Sequence, residues 1–418
     1  MSDRSHVLGQ VYIGYSPVVD RARAVVATRL TIFPERRDAP PDARALIDAL
    51  SGSFPEARPE LNLTLRSLDG PGGPAPGPRP TPLLLNIANE ALLDGVLGLP
   101  PPPQVTVEVP AFMASSASRL PLMHALREAG VSLAIKGRPV EEISRELLPC
   151  FGLALIDSSE ERRTAAVPLA AQAARRIGTV MTGARSAAEV EAAFTLGAQA
   201  VAGWPLDEAM PSGKGGMPPD LRGIVELMNR VEKEEPAEKM EPVLKADPTL
   251  AFRLLRYINS AAFGLRVEVT SFKHALMLLG YARLKRWLAL LLASGSKDPS
   301  QRPLMHLAVR RGLLMEELAR GAGDDELRNE MFICGVFSLL DRMLRQPFSE
   351  LLNNVPVPER VQASLLGDGP FLQQLDLVRA LEQSSIVDIR EGAERLLISP
   401  AEVNRAVLAA LTAARQLD

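Results

Sequence analysis

The feature that most constrains the fold is a change in the spacing of apolar residues near residue 205. Before it, short apolar runs alternate with amphipathic, helix-like stretches, and the runs begin about 21–26 residues apart. This spacing is typical of βα units in a parallel α/β barrel or a doubly wound sheet. The predicted strands of this series are Leu83–Ile87, Val105–Val109, Val131–Ile135, Gly152–Ile156, Gly178–Met181 and Gln199–Ala202.

Two earlier runs, Val7–Ile13 and Val25–Phe33, precede this series. The short segment around Asp20 and Arg21 leaves no room for a crossover helix, so these two strands are predicted to be antiparallel. The segment Pro205–Pro219 then ends the αβ alternation.

Beyond that segment, apolar residues recur three and four positions apart, which predicts helices throughout. The sequence therefore predicts an α/β domain at 1–206, either a barrel or a doubly wound sheet, followed by a linker at 207–217 and an all-α domain at 218–418.

Composition narrows the class of protein. Hydrophobic residues make up 46% of the 418 residues and charged residues 23%, as in globular chains. The formal net charge of −3 gives no electrostatic reason to expect nucleic acid or an anionic membrane as partner. Cys150 and Cys334 form no disulfide framework and no metal knuckle. We expect a cytoplasmic protein.

A membrane span is not expected either. The longest apolar candidate, Ala275–Ala293, is interrupted by Arg283, Lys285 and Arg286. The N-terminus MSDRSHVLGQ lacks a basic segment followed by an apolar run, so it does not resemble a signal peptide.

Two segments of the helical half carry a family resemblance. ADPTLAFRLLRYINSAAFG begins at Ala246, and SFKHALMLLGYARLKRWLAL begins at Ser271. Together they resemble the HDOD domain, a helical regulatory module that is related to HD-type phosphohydrolases but lacks their paired His and Asp. The positions that carry the match are Asp247, Pro248, Asn259, Ser260, Gly264 and Gly280.

The helical half also departs from a metal-dependent phosphohydrolase. FICGVFSLLDRML, from Phe332, resembles the helix that holds the HD pair in catalytic relatives, but Leu340 and Asp341 stand in its place. His274 and His306 are the histidines of this half, too few for a metal centre, and we expect structural roles for both. Helical spacing further predicts a buried core made of Leu254, Leu255, Ile258, Leu278 and Leu279.

The first half resembles a degenerate EAL domain, the barrel family that hydrolyses cyclic di-GMP. The matching segments are Pro17–Val18 followed by VVATRLTIF, LLLNIANEALL at Leu83–Leu93, VTVEVP at Val105–Pro110, LREAGVSLAI at Leu126–Ile135, ALID at Ala154–Asp157 and GAQAVAGWPL at Gly197–Leu206. An EAL-like module followed by an HDOD domain is known from bacterial signalling proteins as the YuxH-like arrangement.

The resemblance assigns the family's catalytic positions to seven residues with a functional or vestigial side chain and, in addition, to Gly137. The Glu of the family's signature falls on Arg29, its paired aspartates on Lys136 and Gly137, its Lys on Leu155, and the Glu of its EGVE segment on Thr182. The positions that keep the family's residue type are Asn86, Glu108 and Asp157.

These replacements imply an inactive site. Two divalent cations need several carboxylates, whereas here Glu108 and Asp157 face Arg29 and Lys136, which makes the set roughly neutral. The kept residues could retain a ligand pocket, but we favour a role in satisfying buried polar groups, with Arg29 and Lys136 as their partners. No metal and no cofactor are expected.

The leading hypothesis is a non-enzymatic signalling regulator that acts as a protein-interaction scaffold. One alternative is a receptor that binds cyclic di-GMP or another nucleotide without hydrolysing it. A third, less favoured, is a phosphodiesterase with a rearranged metal site. The sequence leaves the protein partner, the input signal and the oligomeric state open.

Overall fold

A computed structural model describes residues 6–52, 83–99, 105–137, 146–158, 177–206, 219–258, 272–295 and 298–415. Eight strands in the first half form a closed barrel in the order β1 to β8. β1 is antiparallel to both β2 and β8, and every other neighbouring pair is parallel. The strands are β1 Val11–Asp20, β2 Val25–Pro34, β3 Leu83–Ile87, β4 Val105–Pro110, β5 Ser132–Lys136, β6 Leu153–Asp157, β7 Gly178–Thr182 and β8 Ala200–Ala202.

This topology confirms the predicted α/β barrel with its antiparallel opening. The first strand was misplaced, however: the predicted Val7–Ile13 begins four residues too early and overlaps β1 only at Val11–Ile13, whereas β1 runs on to Asp20. Gly14 and Pro17 lie within it, and both residue types are depleted in strand interiors. Their presence is the reason why the residue composition did not indicate a strand over the full length of β1.

The barrel interior contains a buried cluster of mainly small apolar side chains, here called the apolar layer. This buried cluster consists of Val18, Ala27, Leu84, Ala134, Leu155, Val180, Ala200 and Ala202. Side chains of a strand alternate between its two faces, so the residue two positions further along each strand also faces inward. Arg29, Asn86 and Lys136 each follow a member of this layer by two positions, and they therefore lie at the mouth formed by the carboxyl ends of the strands.

Helices accompany the strands of the barrel. They are α1 Ala43–Gly52, α2 Glu90–Leu97, α3 Ala111–Ala114, α4 Leu120–Glu128 and α5 Ala187–Thr195. α2 and α5 begin with side-chain caps, in which Asn89 accepts from the N–H of Leu92 and Ser186 accepts from that of Glu189. The first of these caps lies directly beyond the carboxyl end of β3.

The second half is helical in its described residues, as predicted. Its helices are α6 Pro219–Glu232, α7 Ala237–Ala246, α8 Pro248–Ile258, α9 Phe272–Ser294, α10 Arg302–Leu318, α11 Asp325–Phe337, α12 Leu340–Leu344, α13 Phe348–Leu351, α14 Glu359–Leu365, α15 Leu372–Gln383, α16 Ile386–Arg395 and α17 Pro400–Arg415. α9 is kinked at Gly280, whose φ of 67° is left-handed and so favours glycine.

Most of the predicted helical core is buried. Leu254, Ile258 and Leu279 are 5% exposed or less. Leu278 is 40% exposed, so its predicted burial was wrong. Neighbouring positions on a helix point in different directions, and Leu279 takes the inward one. The side chain of Leu255 lies outside the described set.

The chain divides into two compact units whose boundaries differ from the predicted domains. The first comprises Met1–Phe54, Pro80–Ala209 and Arg379–Arg405, while the second is drawn from Met210–Val378 and Ala406–Asp418. The helical domain predicted at 218–418 is therefore interrupted, because Arg379–Arg405 belongs to the barrel unit. Helical periodicity shows that a helix has an apolar face but not which core that face packs against. The predicted linker at 207–217 lies outside the described residues.

In the part of the chain that the structure describes, no single helix has the length and apolar character needed to cross a membrane. The pair Ile386–Arg395 and Pro400–Ala414 meets these criteria only when both helices are taken together across a 109° bend.

Candidate functional site at the barrel mouth

A cavity of about 550 Å³ opens at the carboxyl ends of the strands. Five of the seven positions assigned from the sequence line it, namely Arg29, Lys136, Leu155, Asp157 and Thr182. The other two, Asn86 and Glu108, hydrogen-bond to two of these lining residues. The structure thus brings all seven positions to one place.

Arg29 and Glu108 form a two-point ion pair across the mouth. Arg29 Nε donates to Glu108 Oε1 at 2.6 Å, and Nη2 donates to Oε2 at 2.8 Å. The Glu108 side chain is fully buried, and that of Arg29 is 19% exposed. Burial disfavours the charged guanidinium, but the hydrogen bonds and the charge of Glu108 outweigh it, so the pKa of Arg29 is raised. Both oxygens of this carboxylate are therefore occupied by a cation that the chain itself supplies.

Lys136 is held differently, by an amide. Its Nζ donates to Asn86 Oδ1, and Asn86 Nδ2 donates in turn to Thr31 Oγ1 at 3.4 Å. Burial lowers the pKa of Lys136; the charge of Glu108 opposes this shift, and that of Arg29 adds to it. The mouth therefore contains two cations: Arg29, which is bound to a carboxylate, and Lys136, which is bound to an amide among the described contacts.

The remaining three positions differ in exposure. Leu155 is buried and belongs to the apolar layer, Thr182 is half-buried, and Asp157 is exposed at the end of β6. Gly183, which has a positive φ, brings its Cα close to Asp157, since an added Cβ would lie 3.2 Å from the carboxylate. Asp157 is thus the exposed carboxylate among the seven positions.

These residues do not fit a centre with two divalent cations. Such a centre needs several carboxylate oxygens directed at the ions, yet both oxygens of Glu108 bind Arg29 and the ammonium group of Lys136 lies nearby. Among the described residues, no group of three or more His, Cys, Asp or Glu side chains could hold a metal ion. Arg29 and Lys136 instead supply fixed positive charge at the mouth.

Residues that the sequence did not single out also line the cavity. Phe112, on the short helix after β4, is 66% exposed there. Asn89 and Glu90 lie at the start of α2, and Asn89 Nδ2 also donates to the carbonyl of Arg37 at 3.1 Å. Their position in segments directly after predicted strands is the signal that could have identified them, because loops at strand ends form barrel sites.

The HDOD-motif positions divide between described and undescribed residues. Asp247 Oδ1 accepts from the N–H of Leu250 at 3.0 Å, so it caps α8, which begins at Pro248. Gly280 marks the kink in α9. Asn259, Ser260 and Gly264 lie outside the described residues.

Comparison with known proteins gives a family for part of the chain. Residues 217–345 match the HDOD domain, so the helical region carries an HDOD domain. The chain is 29% identical over 165 residues to the uncharacterized protein YuxH of Bacillus subtilis, which is 38% of this chain and 40% of YuxH. It is 28% identical over 136 residues to the cyclic di-GMP phosphodiesterase CdgJ of Vibrio cholerae, or 32% of each protein. These matches span less than half the length of either relative.

Among solved structures, one similar to this chain is the PaMucR phosphodiesterase in a c-di-GMP complex. The two are 18% identical, the match covers 49% of this chain and 93% of that one, and the TM-score is 0.32.

Proposed function

We propose that the chain is a non-catalytic regulator in cyclic di-GMP signalling, which acts through protein partners and whose EAL-like barrel no longer hydrolyses phosphodiesters. The observation that carries this proposal is the ion pair between Arg29 and Glu108. A phosphodiesterase of this kind needs Glu108 as a metal ligand, and here both of its oxygens already bind a guanidinium group. The HDOD match and the name of the relative CdgJ support the signalling context.

Electrostatics favours the same conclusion. A divalent cation in the mouth would be repelled by Arg29 and Lys136, whose positive charges offset the negative charges of Glu108 and Asp157. One substitution could not restore the site, because Leu155 and Thr182 also stand where the resemblance expects polar catalytic groups.

The test is hydrolysis by the full chain. Purified protein is incubated with cyclic di-GMP and Mg²⁺ or Mn²⁺, with CdgJ as the active control and the Glu108→Gln variant as the matched blank. We expect no linear product above the blank. Metal-dependent hydrolysis by the natural chain that disappears in Glu108→Gln would contradict the proposal.

A second candidate is a receptor that binds the nucleotide without cleaving it. The cavity favours it, because about 550 Å³ lies in the range of small-molecule sites and Lys136 lines it beside the exposed ring of Phe112. Calorimetry on the same samples without metal separates the two candidates. Saturable binding that is weakened in Lys136→Met supports the receptor, and absence of binding supports a role through protein contacts alone.

A further inference from the structure

The first strand of the barrel has an edge that no described strand covers along most of its length. β1 pairs with β2 from Val11 to Val19, but it pairs with β8 only from Val18 to Asp20. Backbone groups on the β8 side of the earlier residues need other partners, because buried N–H and C=O groups are almost always hydrogen-bonded.

Asn404, on α17, supplies those partners. The N–H of Ile13 donates to Asn404 Oδ1 at 3.0 Å, and Asn404 Nδ2 donates to the carbonyls of Leu8 and Val11, both at 2.7 Å. Its side chain thus uses one acceptor and both donor hydrogens, and the residue is fully buried. The carboxamide of Asn404 stands where the backbone of a neighbouring strand would otherwise lie.

A second contact lies one residue further along β1. A Cβ added to Gly14 would come within 2.8 Å of Ser384 Cα, so the backbone of this part of the chain touches the strand directly. Ser384 has a φ of 54°, a left-handed conformation that few residues other than glycine adopt. Glycine at position 14 is therefore required by the close approach of the two segments.

A third contact reaches the end of β2. Arg390 Nη2 donates to the carbonyl of Glu35 at 2.6 Å and to that of Pro34 at 3.4 Å. Its guanidinium group lies 5.8 Å from the ring centre of Tyr12. Arg390 therefore joins the start of β1 to the end of β2, the strand that carries Arg29.

We propose that the segment Arg379–Arg405, here called the strap, is an interaction element that the barrel binds on the open edge of β1. The strap comprises the end of α15, α16 and the start of α17. The edge of β1 thus acts as a binding surface for a helical segment of the same chain. This segment lies nearly four hundred residues away in sequence. The barrel domain then includes Arg379–Arg405 as well as the first half of the chain.

Hydrogen exchange of the natural full chain is the first test. The Ile13 amide is bonded to a side chain rather than to a strand, so its protection reports strap binding directly. We expect it to exchange as slowly as ladder amides of β3, which is paired on both sides, such as that of Leu85. Exchange at the rate of an exposed loop would overturn the proposal, and this result needs no variant.

Substitution on the strap is the second test. Asn404→Ala is expected to speed exchange at Ile13 about tenfold or more, because three hydrogen bonds are lost, two of them to β1 and one to the carbonyl of Leu8 just before it. Protection of α10 should stay unchanged. Arg405→Ala is the matched control, since this exposed neighbour bonds to Ala401 within its own helix. Unchanged exchange at Ile13, or an equal increase in every barrel strand, would overturn the proposal.

Substitution on the strand is the third test, and it covers the case in which Asn404→Ala fails to fold. Gly14→Ala leaves the strap unaltered but is expected to speed exchange in both β1 and the strap. Gly152→Ala is its control, because a Cβ there meets no atom within 4 Å. Equal exchange in the two glycine variants would count against strap binding at this edge.

Discussion

Two bidentate Arg–Glu pairs with almost the same distances lie in different surroundings. At the barrel mouth, Arg29 and Glu108 meet at 2.6 and 2.8 Å, and the glutamate is fully buried. Between α9 and α10, Arg286 and Glu316 meet at 2.8 and 2.7 Å, with 26% and 15% of the side chains exposed. The distances alone therefore do not distinguish a pair that occupies a site from a pair that joins two helices.

The neighbours of the two pairs make the difference. Glu316 has a second cation, since Arg328 Nη2 lies 3.4 Å from its Oε1, and Arg286 rests 3.8 Å from the ring centre of Phe332. Among the contacts described at the mouth, Glu108 hydrogen-bonds to Arg29 as its cation. The helix pair thus has a second cation within hydrogen-bond distance of its carboxylate, whereas Lys136 acts on Glu108 through its charge and donates its hydrogen bond to Asn86. We therefore expect the mouth pair to depend more strongly on both of its members.

The largest expected effect follows from breaking the mouth pair. Arg29→Met leaves the carboxylate of Glu108 buried without its cation, which should lower the free energy of unfolding by about 3–5 kcal/mol. Urea unfolding measures the loss. The double variant Arg29→Met with Glu108→Leu is the control, because it removes both charges and should regain most of the lost stability. A loss below about 1 kcal/mol in the single variant would show that Glu108 does not depend on Arg29.

A smaller effect is expected at the helix pair. Arg286→Met should lower the free energy of unfolding by about 1 kcal/mol, because Arg328 remains beside Glu316 and solvent screens the site. The loss should shrink at high salt, whereas the loss in Arg29→Met should change little. Parallel urea titrations at low and high salt measure both. Equal losses in the two variants would mean that burial does not separate the pairs.

Part of the fold and of the barrel mouth could be predicted from the sequence. The strands of the series from Leu83 onward follow from local patterns, whereas Arg29, Asn86, Glu108 and Lys136 were assigned from the resemblance to EAL domains. Period-two alternation and strand order then explain why these side chains meet at a barrel mouth. Ala27 and Ala134, which lie two positions before Arg29 and Lys136, belong to the buried cluster inside the barrel, in agreement with this alternation.

The packing of the strap against the barrel could not be predicted from the sequence, for a physical reason. Asn404 is one polar residue in an amphipathic helix, and its partners are backbone groups near the other end of the chain. A periodic apolar face predicts that the helix is buried but not against which unit. The sequence also contained no signal for the roles of Gly14 and the exposed Phe112. A glycine within a strand and an apolar residue just after a strand each have several ordinary explanations.

The smallest expected effect concerns the second cation of the mouth and is a dependence on pH. Burial lowers the pKa of Lys136 below the ordinary 10.5. Below the folded-state pKa, the lysine is charged in both states and its desolvation opposes folding. As the pH rises from the folded-state pKa toward that of the unfolded chain, the unfolded state holds more protons, so the contribution of Lys136 to stability increases.

Comparison with Lys136→Met isolates this contribution. The free energy of unfolding of the natural chain minus that of the variant should rise between neutral pH and about pH 10.5. Lys285→Met is the matched control, because it removes a lysine on α9 that lies 3.0 Å from Glu232. A difference that falls with pH for Lys136, or one no larger than for Lys285, would mean that the amide of Asn86 and the charge of Glu108 together compensate the burial of this ammonium group. The two cations of the mouth would then be equally well paired.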